Sequence, residues 1–231
     1  MNNYLVVGAS SGIGLSLANT LAQQGQNVFG TFNKTAVNPN SAVQYHPLNV
    51  LDETFDLSFL PETIHGVAYC PGSINLVPFK QIKPEAFKED YDLQVIGAIK
   101  IIQHILPKLK VSANASILLF STVAVQTGFN FHSQVSASKG AIEGLTKALA
   151  AEFAPTIRVN AIAPSITKTP LAEKYLNNEK KIEVNEKRHP LKKIGSPEDV
   201  ANLAAYLLSN QAAWLTAQII TIDGGISSLR T

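Results

Sequence analysis

Short apolar runs alternate with longer amphipathic stretches from one end of the chain to the other. The runs fall at Tyr4–Val7, Val28–Thr31, Val43–Tyr45, Gly66–Tyr69, Ser116–Phe120, Arg158–Ile162 and Ile219–Ile222, each of strand length. Between them, apolar residues recur at helical spacing near Ile13–Gln24, Phe87–Leu106, Val135–Phe153 and Pro197–Leu208. Strands that read as continuous apolar runs are buried on both faces, and intervening helices imply parallel pairing. Right-handed crossovers then predict an α/β fold. Its doubly wound parallel sheet of about seven strands carries helices on both faces, with the ligand crevice at the carboxyl ends of the strands.

Local signals sharpen the element ends. Ser196-Pro197-Glu198-Asp199 offers an N-cap, a proline at the first helical position and acids on the positive helix end. Pro107 is expected to close the helix before it, and 52–64 reads as a loop or short helix. No repeat, low-complexity tract or linker interrupts the pattern, so residues 1–231 are read as one domain. Apolar residues reach 45% against 16% charged, so much of the chain is expected between layers.

The net charge of +2 excludes a strongly basic nucleic-acid binder. The cluster Lys187, Arg188, Lys192 and Lys193 lacks interleaved aromatics and reads as a charged surface. Cys70 is the lone cysteine, so no intrachain disulfide or cysteine-rich metal site can form. The five histidines are dispersed, and no metal is expected. Met1 leads through two asparagines straight into the first strand, without a basic flank or a long apolar segment. No run approaches the roughly 18 apolar residues of a membrane span. A cytoplasmic protein without membrane or nucleic-acid partners is expected.

Directly after the first strand stands Gly8-Ala9-Ser10-Ser11-Gly12-Ile13-Gly14, followed at once by an amphipathic helix. Gly8 permits the tight turn, Gly12 lets the backbone approach a pyrophosphate, and Gly14 lets the helix pack closely on the strand. The helix N-terminus then offers free N–H groups and its positive dipole end to phosphates. Three glycines in seven residues would be a weak signal elsewhere; between a strand and a helix they point to a dinucleotide cradle of the Rossmann kind. The second strand ends Gly30-Thr31-Phe32-Asn33-Lys34, with no acid to meet unphosphorylated ribose hydroxyls. Lys34, with Asn33 and Thr31, would accept a 2′-phosphate. NADP(H) is therefore the expected cofactor, with NAD(H) the alternative; Lys34 as a plain solvated loop lysine is the competing reading.

At this point the chain resembles the short-chain dehydrogenase/reductase family over essentially its whole length, above all the reductases acting on 3-oxoacyl thioesters. Five segments carry the resemblance in order: the glycine loop, Asn49-Val50-Leu51-Asp52, Ser136-Ala137-Ser138-Lys139-Gly140-Ala141, Arg158-Val159-Asn160-Ala161-Ile162-Ala163-Pro164, and the C-terminal Gly195–Ala201 with Asp223-Gly224-Gly225. The resemblance implies cofactor contacts from Gly8, Ser10, Ser11, Gly12, Ile13, Gly14, Asn33, Lys34, Asn49, Val50, Gly72, Lys139, Pro164, Thr167 and Thr169. It also implies four catalytic positions: Lys139, a tyrosine four residues before it, a serine after the fifth strand and an asparagine on the preceding helix. Only the lysine is kept. Val135 stands at the tyrosine position, Thr122 (beside Ser121) at the serine position and Gln94 at the asparagine position. Tyr69-Cys70-Pro71-Gly72 and Pro164-Ser165 likewise depart from the family's Asn-Asn-Ala-Gly and Pro-Gly.

A general acid contributes about 10²–10⁴-fold, so a slow reductase without the phenol is physically sound. His132 is the best local substitute donor, weighed against a plain loop histidine; Tyr69 and Tyr175 are remoter, with packing as their alternative role. Two function classes follow. One is an NADP(H)-dependent oxidoreductase acting on a carbonyl or alcohol with altered proton transfer. The other is a catalytically silent cofactor-binding protein, alone or paired with an active relative. Residues 166–193 are expected to form a lid, with Leu171, Tyr175 and Leu176 lining it for an acyl or other apolar substrate group. The resemblance implies a homo-oligomer, a tetramer or dimer. Ala137, Gly140, Ala141 and Gly144 suit close helix approach there, or equally packing on the chain's own sheet.

Overall fold

The computed structural model describes residues 1–35 and 42–230. Seven strands form one all-parallel sheet in the order β3-β2-β1-β4-β5-β6-β7. They are β1 (Asn3–Val7), β2 (Asn27–Phe32), β3 (Val43–Pro47), β4 (Gly66–Tyr69), β5 (Ala115–Phe120), β6 (Ile157–Pro164) and β7 (Ile219–Ile222). The central strands are the continuous apolar runs: β4 and β5 are buried at every position. On one face pack α1 (Gly12–Gln23) and α8 (Pro197–Leu208), around Leu17, Leu21, Val200 and Leu207. The other face carries α3 (Gly97–Lys110) and α5 (Ser133–Phe153), around Ile101, Ile105, Ile142 and Phe153. Chain order reverses between β1 and β4, where Val7 pairs with Tyr69, so the loops leaving those two strands part and open a crevice.

α8 begins on a full capping box: the Asp199 N–H donates to Ser196 Oγ (3.2 Å) and the Ser196 N–H to Asp199 Oδ2 (2.8 Å), with Pro197 following. Two helix ends differ from expectation. Pro107 lies inside α3, which continues to Lys110. The carbonyl it strands belongs to solvent-exposed Gln103, where water can satisfy it, while buried Ile105 and Leu109 hold the last turn to the sheet. The amphipathic stretch near Phe87–Leu106 is not one regular helix. α2 (Pro84–Tyr91) passes through a π-helical turn, Asp92–Ile96, before α3 starts. The three-dimensional period there differs from 3.6, and the sequence pattern does not distinguish the two. Among the described residues no helix is long and apolar enough to cross a membrane.

Two histidines tie stability to pH. His65 Nδ1 accepts the Asn3 N–H at 3.1 Å, and burial, with the N-terminal ammonium, holds its pKa below the usual value. His46, stacked on Phe59 with ring centroids 3.7 Å apart, is lowered by burial as well. The unfolded chain therefore binds protons more readily, and this stability, complete above about pH 6.5, is lost as pH falls. The urea midpoint is expected to drop between about pH 7.5 and pH 5, and His65→Gln to shrink that drop; an unchanged drop would refute the assignment.

Candidate active site

Loops from the carboxyl ends of neighbouring strands build the crevice. Gly8 and Gly12 take positive φ (77° and 53°), and Gly14 has no room for a side chain, because a Cβ would strike the Gly8 carbonyl oxygen. A Cβ on Gly8 would lie 3.2 Å from Pro71, and one on Gly12 3.2 Å from Thr169. Three loops thus close on the glycine turn. Ser11, the N-cap of α1, makes no side-chain cap, which leaves the first-turn N–H groups open. Asn33 and exposed Lys34 follow β2, and Asn33 Nδ2 donates to Asn49 Oδ1 after β3 (3.4 Å). Thr31 is withdrawn from that rim. Its side chain is buried and accepts the Gly8 N–H (3.2 Å), so it supports the glycine turn and cannot face a phosphate.

Beside the cradle opens a cavity of about 450 Å³. Gln94, Thr122, Val135 and Lys139 line it together with Ile13, Gly72, Pro164, Thr167 and Thr169. Gly8, Ser10, Ser11, Gly12, Gly14, Asn33, Lys34, Asn49 and Val50 lie outside its wall, along the carboxyl edge formed by β1, β2 and β3. Val135 and Lys139 are one turn apart on α5, which brings both side chains to the cavity. Gln94 sits in the π turn. Thr122 Oγ1 accepts the N–H of Ala124, where the short helix α4 (Ala124–Thr127) begins (3.3 Å), which leaves its own proton to donate, whereas Ser121 Oγ donates to Glu143 (2.6 Å). Burial draws the Lys139 pKa down to about 8, against the opposing pull of Asp90 and Cys70. The Cys70 thiol is pushed up to about 12 by burial and stays protonated.

His132 sits at the rim, its Nδ1 2.8 Å from the Asn130 carbonyl oxygen. Tyr69 is buried in the core and donates to the Leu93 carbonyl (2.6 Å). The short helix α6 (Glu173–Leu176) is fastened across the mouth. Tyr175 Oη accepts the Leu76 N–H (3.1 Å), and Lys174 Nζ donates to the Ile74 carbonyl (2.9 Å). The basic cluster is engaged locally: Lys187 pairs with Glu183, Arg188 lies over the Phe129 ring, Lys192 bonds the Lys187 carbonyl and Lys193 reaches Asp199.

Two features escaped the sequence reading. Asp90 is buried and gathers Ser73, Gln94 and Ser138 around its carboxylate; its spacing of four from Gln94 was the available signal. Ser165 Oγ and His189 Nε2 pair at 2.9 Å, while His189 Nδ1 meets the Asn185 carbonyl at 2.6 Å. Nothing in the sequence links those two positions, which only the end of β6 and the segment after α7 (Glu179–Arg188) bring together.

Comparison with known proteins accords with this architecture. The sequence profile described as enoyl-(acyl carrier protein) reductase matches residues 57–227. The 3-oxoacyl-[acyl-carrier-protein] reductase of Thermotoga maritima is 32% identical over 242 residues, covering 96% of both chains. This chain is a short-chain dehydrogenase/reductase. L-xylulose reductase of Bos taurus is another relative, 28% identical over 96% of this chain and 94% of its own. The structure of a short-chain dehydrogenase family protein from Francisella tularensis superposes with a TM-score of 0.89 at 27% identity, covering 99% of this chain and all of that one. Short-chain dehydrogenase/reductases are NAD(P)(H)-dependent oxidoreductases, and the family places this chain in that class.

Proposed function

We propose that this short-chain dehydrogenase/reductase reduces a carbonyl compound with an apolar, acyl-like substituent, prefers NADPH, and delivers the proton without a residue-135 donor. The observation that carries the reading is the shared wall: Lys139, Thr122 and Gln94 converge on a cavity adjoining an intact glycine cradle. The cradle fits a dinucleotide, since Gly14 abuts Gly8, Gly12 is flush against Thr169, and the first turn of α1 is uncapped. Gly8–Gly14 would hold the diphosphate, Asn33 and Lys34 the 2′-phosphate, Asn49 and Val50 the adenine, and Thr167, Thr169 and Pro164 the nicotinamide end.

When bound, the nicotinamide supplies a hydride to the carbonyl carbon. Thr122 donates a hydrogen bond to the carbonyl oxygen as negative charge develops there. The proton leaves the Lys139 ammonium, directly or through one water, and the amine is reprotonated from solvent. Ile74, Leu76, Phe120, Phe129 and Val135 exclude water around the substituent. Residues 166–193 serve as the lid, and α5, with exposed Ala137 and Gly144 on its outer side, as part of a homo-oligomer face.

Titration of the purified protein with NADPH and NADH, followed by nicotinamide fluorescence, tests the cofactor. Tighter binding of NADPH is expected. In Lys34→Glu, repulsion of about 1–2 kcal/mol weakens NADPH roughly tenfold and leaves NADH unweakened. Equal losses for both would remove Lys34 from the site. Val135, with Gln94 and Thr122 at the other two departed positions, favours a silent cofactor-binder, and NADPH that binds tightly yet survives every carbonyl offered would support that second reading.

A further inference from the structure

Where β6 ends, Pro164 leads into Ser165, and a hydroxyl stands where the family pattern has glycine. The Ser165 backbone is fixed on both sides. Its N–H donates to the Ile222 carbonyl at the end of β7 (3.2 Å), and its carbonyl accepts from Thr167 Oγ1 (3.1 Å). Facing it is His189, the residue that follows α7. The last turn of a helix leaves carbonyls without intrahelical donors. The His189 ring serves one of them, with Nδ1 2.6 Å from the Asn185 carbonyl oxygen.

That contact assigns the tautomer. A carbonyl only accepts, so Nδ1 carries the hydrogen, and in the neutral imidazole Nε2 is left bare. Nε2 lies 2.9 Å from Ser165 Oγ, so the serine hydroxyl points its proton at a base. The histidine is only 2% exposed, and Gly224 packs beside its ring. A mere tie between two segments has no need to face a cavity, yet both residues line the one of about 450 Å³, with Ile74, Leu76 and Phe120 as apolar wall. Thr122 arrives there from the adjoining strand end, where the Val123 N–H donates to the Pro164 carbonyl at 3.2 Å. A hydroxyl on a base that a third group orients is an activated nucleophile, and a nearby donor such as the Thr122 hydroxyl can hold an oxyanion.

We propose that Ser165, with His189 as its base, takes the acyl group of an ester or thioester with an apolar chain and passes it to water. Ser165 Oγ forms a bond to the acyl carbon while its proton moves to His189 Nε2, and Thr122 donates to the carbonyl oxygen. The bond from the acyl carbon to the leaving sulfur or oxygen breaks, and the leaving group takes the proton from Nε2. Water then attacks the acyl-serine, gives a proton to Nε2, and Ser165 recovers that proton as the acid departs. No oxidant, reductant or cofactor enters, so this activity goes beyond the reduction proposed above and does not rest on it.

The test uses the cofactor-free protein with two reagents, p-nitrophenyl butyrate and an alkyl fluorophosphonate, which phosphonylates an activated serine with loss of fluoride. Native protein is expected to release nitrophenolate, to carry the phosphonate on Ser165 by peptide mass spectrometry, and to lose ester hydrolysis once labelled. Ser165→Ala should abolish both reactions. His189→Gln, which can still hydrogen-bond but is no base, should slow both about 100-fold or more. Absence of label, label on another residue, or a native rate in folded His189→Gln overturns the proposal. Should the variants not fold, the native chain alone decides. Label on Ser165 of the folded protein that is absent after unfolding in urea supports the proposal, and equal labelling of both states overturns it. Acylation of Ser165 in a protein that reduces no carbonyl leaves this inference standing and removes the reduction; carbonyl reduction with an inert Ser165 does the reverse.

Discussion

Val135→Tyr is expected to raise NADPH-dependent carbonyl reduction about 10²–10³-fold at pH 7, within the range a positioned general acid contributes. The geometry favours it. Val135 is buried at the cavity wall one helical turn before Lys139, so a phenol there extends into open volume toward an ammonium that lowers its pKa. Thr122, on the opposite loop, already offers its hydroxyl to the same cavity. Added bulk in a packed core costs about 1–3 kcal/mol, but here the ring enters a cavity. Val135→Phe is the control: it fills the same space without a proton and is expected to gain nothing. The pH profiles should also part. Native activity is expected to fall as pH rises through about 8, where Lys139 loses its proton. Turnover in the tyrosine variant measured by loss of nicotinamide absorbance, if no greater than in the phenylalanine variant, would remove Val135 from the reaction.

Gly14→Ala is expected to do the most damage of any single methyl group. Its Cβ would clash with the Gly8 carbonyl oxygen, which is backbone and has little room to move. α1 must lift from the turn, and the first-turn N–H groups leave their place. Stability should fall by about 3 kcal/mol, and misplacement of about 1 Å should weaken NADPH binding roughly 100-fold. Gly144→Ala, at an exposed position of α5 where nothing in this chain lies near its Cβ, is the contrast. It should gain up to about 1 kcal/mol from helix propensity and bind cofactor normally. Thermal melts and fluorescence titration of both variants check this, and a Gly14→Ala protein that melts and binds like the native one would refute the close packing inferred for the cradle.

Some of this was legible from residues alone, because its physical signal is local. A fully buried strand must be apolar throughout, as Ala115–Phe120 is, and a turn beneath a helix N-terminus needs glycine where φ is positive, as at Gly8 and Gly12. Helix ends were less readable. Pro107 signals a break, yet whether a proline ends a helix depends on who solvates the carbonyl it strands, and exposed Gln103 answers that only in three dimensions. The π turn carrying Gln94 has no residue signature at all. Asp90 illustrates a further limit. On a helix otherwise rich in Lys and Glu it looks like one more solvated charge, and only the approach of Ser73 and Ser138 from two other segments makes it a buried one. Thr31 was misread for a related reason: composition shows that a hydroxyl is present, and only packing shows which way it points.

The all-parallel order of the sheet has a consequence for assembly. No strand pairs with its sequence neighbour through a tight hairpin among the described residues; Tyr4 lies beside Val28 on one side and Gly66 on the other. The pairings of β1 with β4 and of β4 with β5 each close a long connection before they are rewarded, so folding is dominated by distant contacts and is slow for the chain's size. The glycine loop is made early during synthesis, yet Pro71 and Thr169, which pack against it, come much later. On the proposed reading of the cradle, competence to hold a dinucleotide is acquired only near completion of the sheet, so a dinucleotide would stabilise finished molecules and not partly assembled ones.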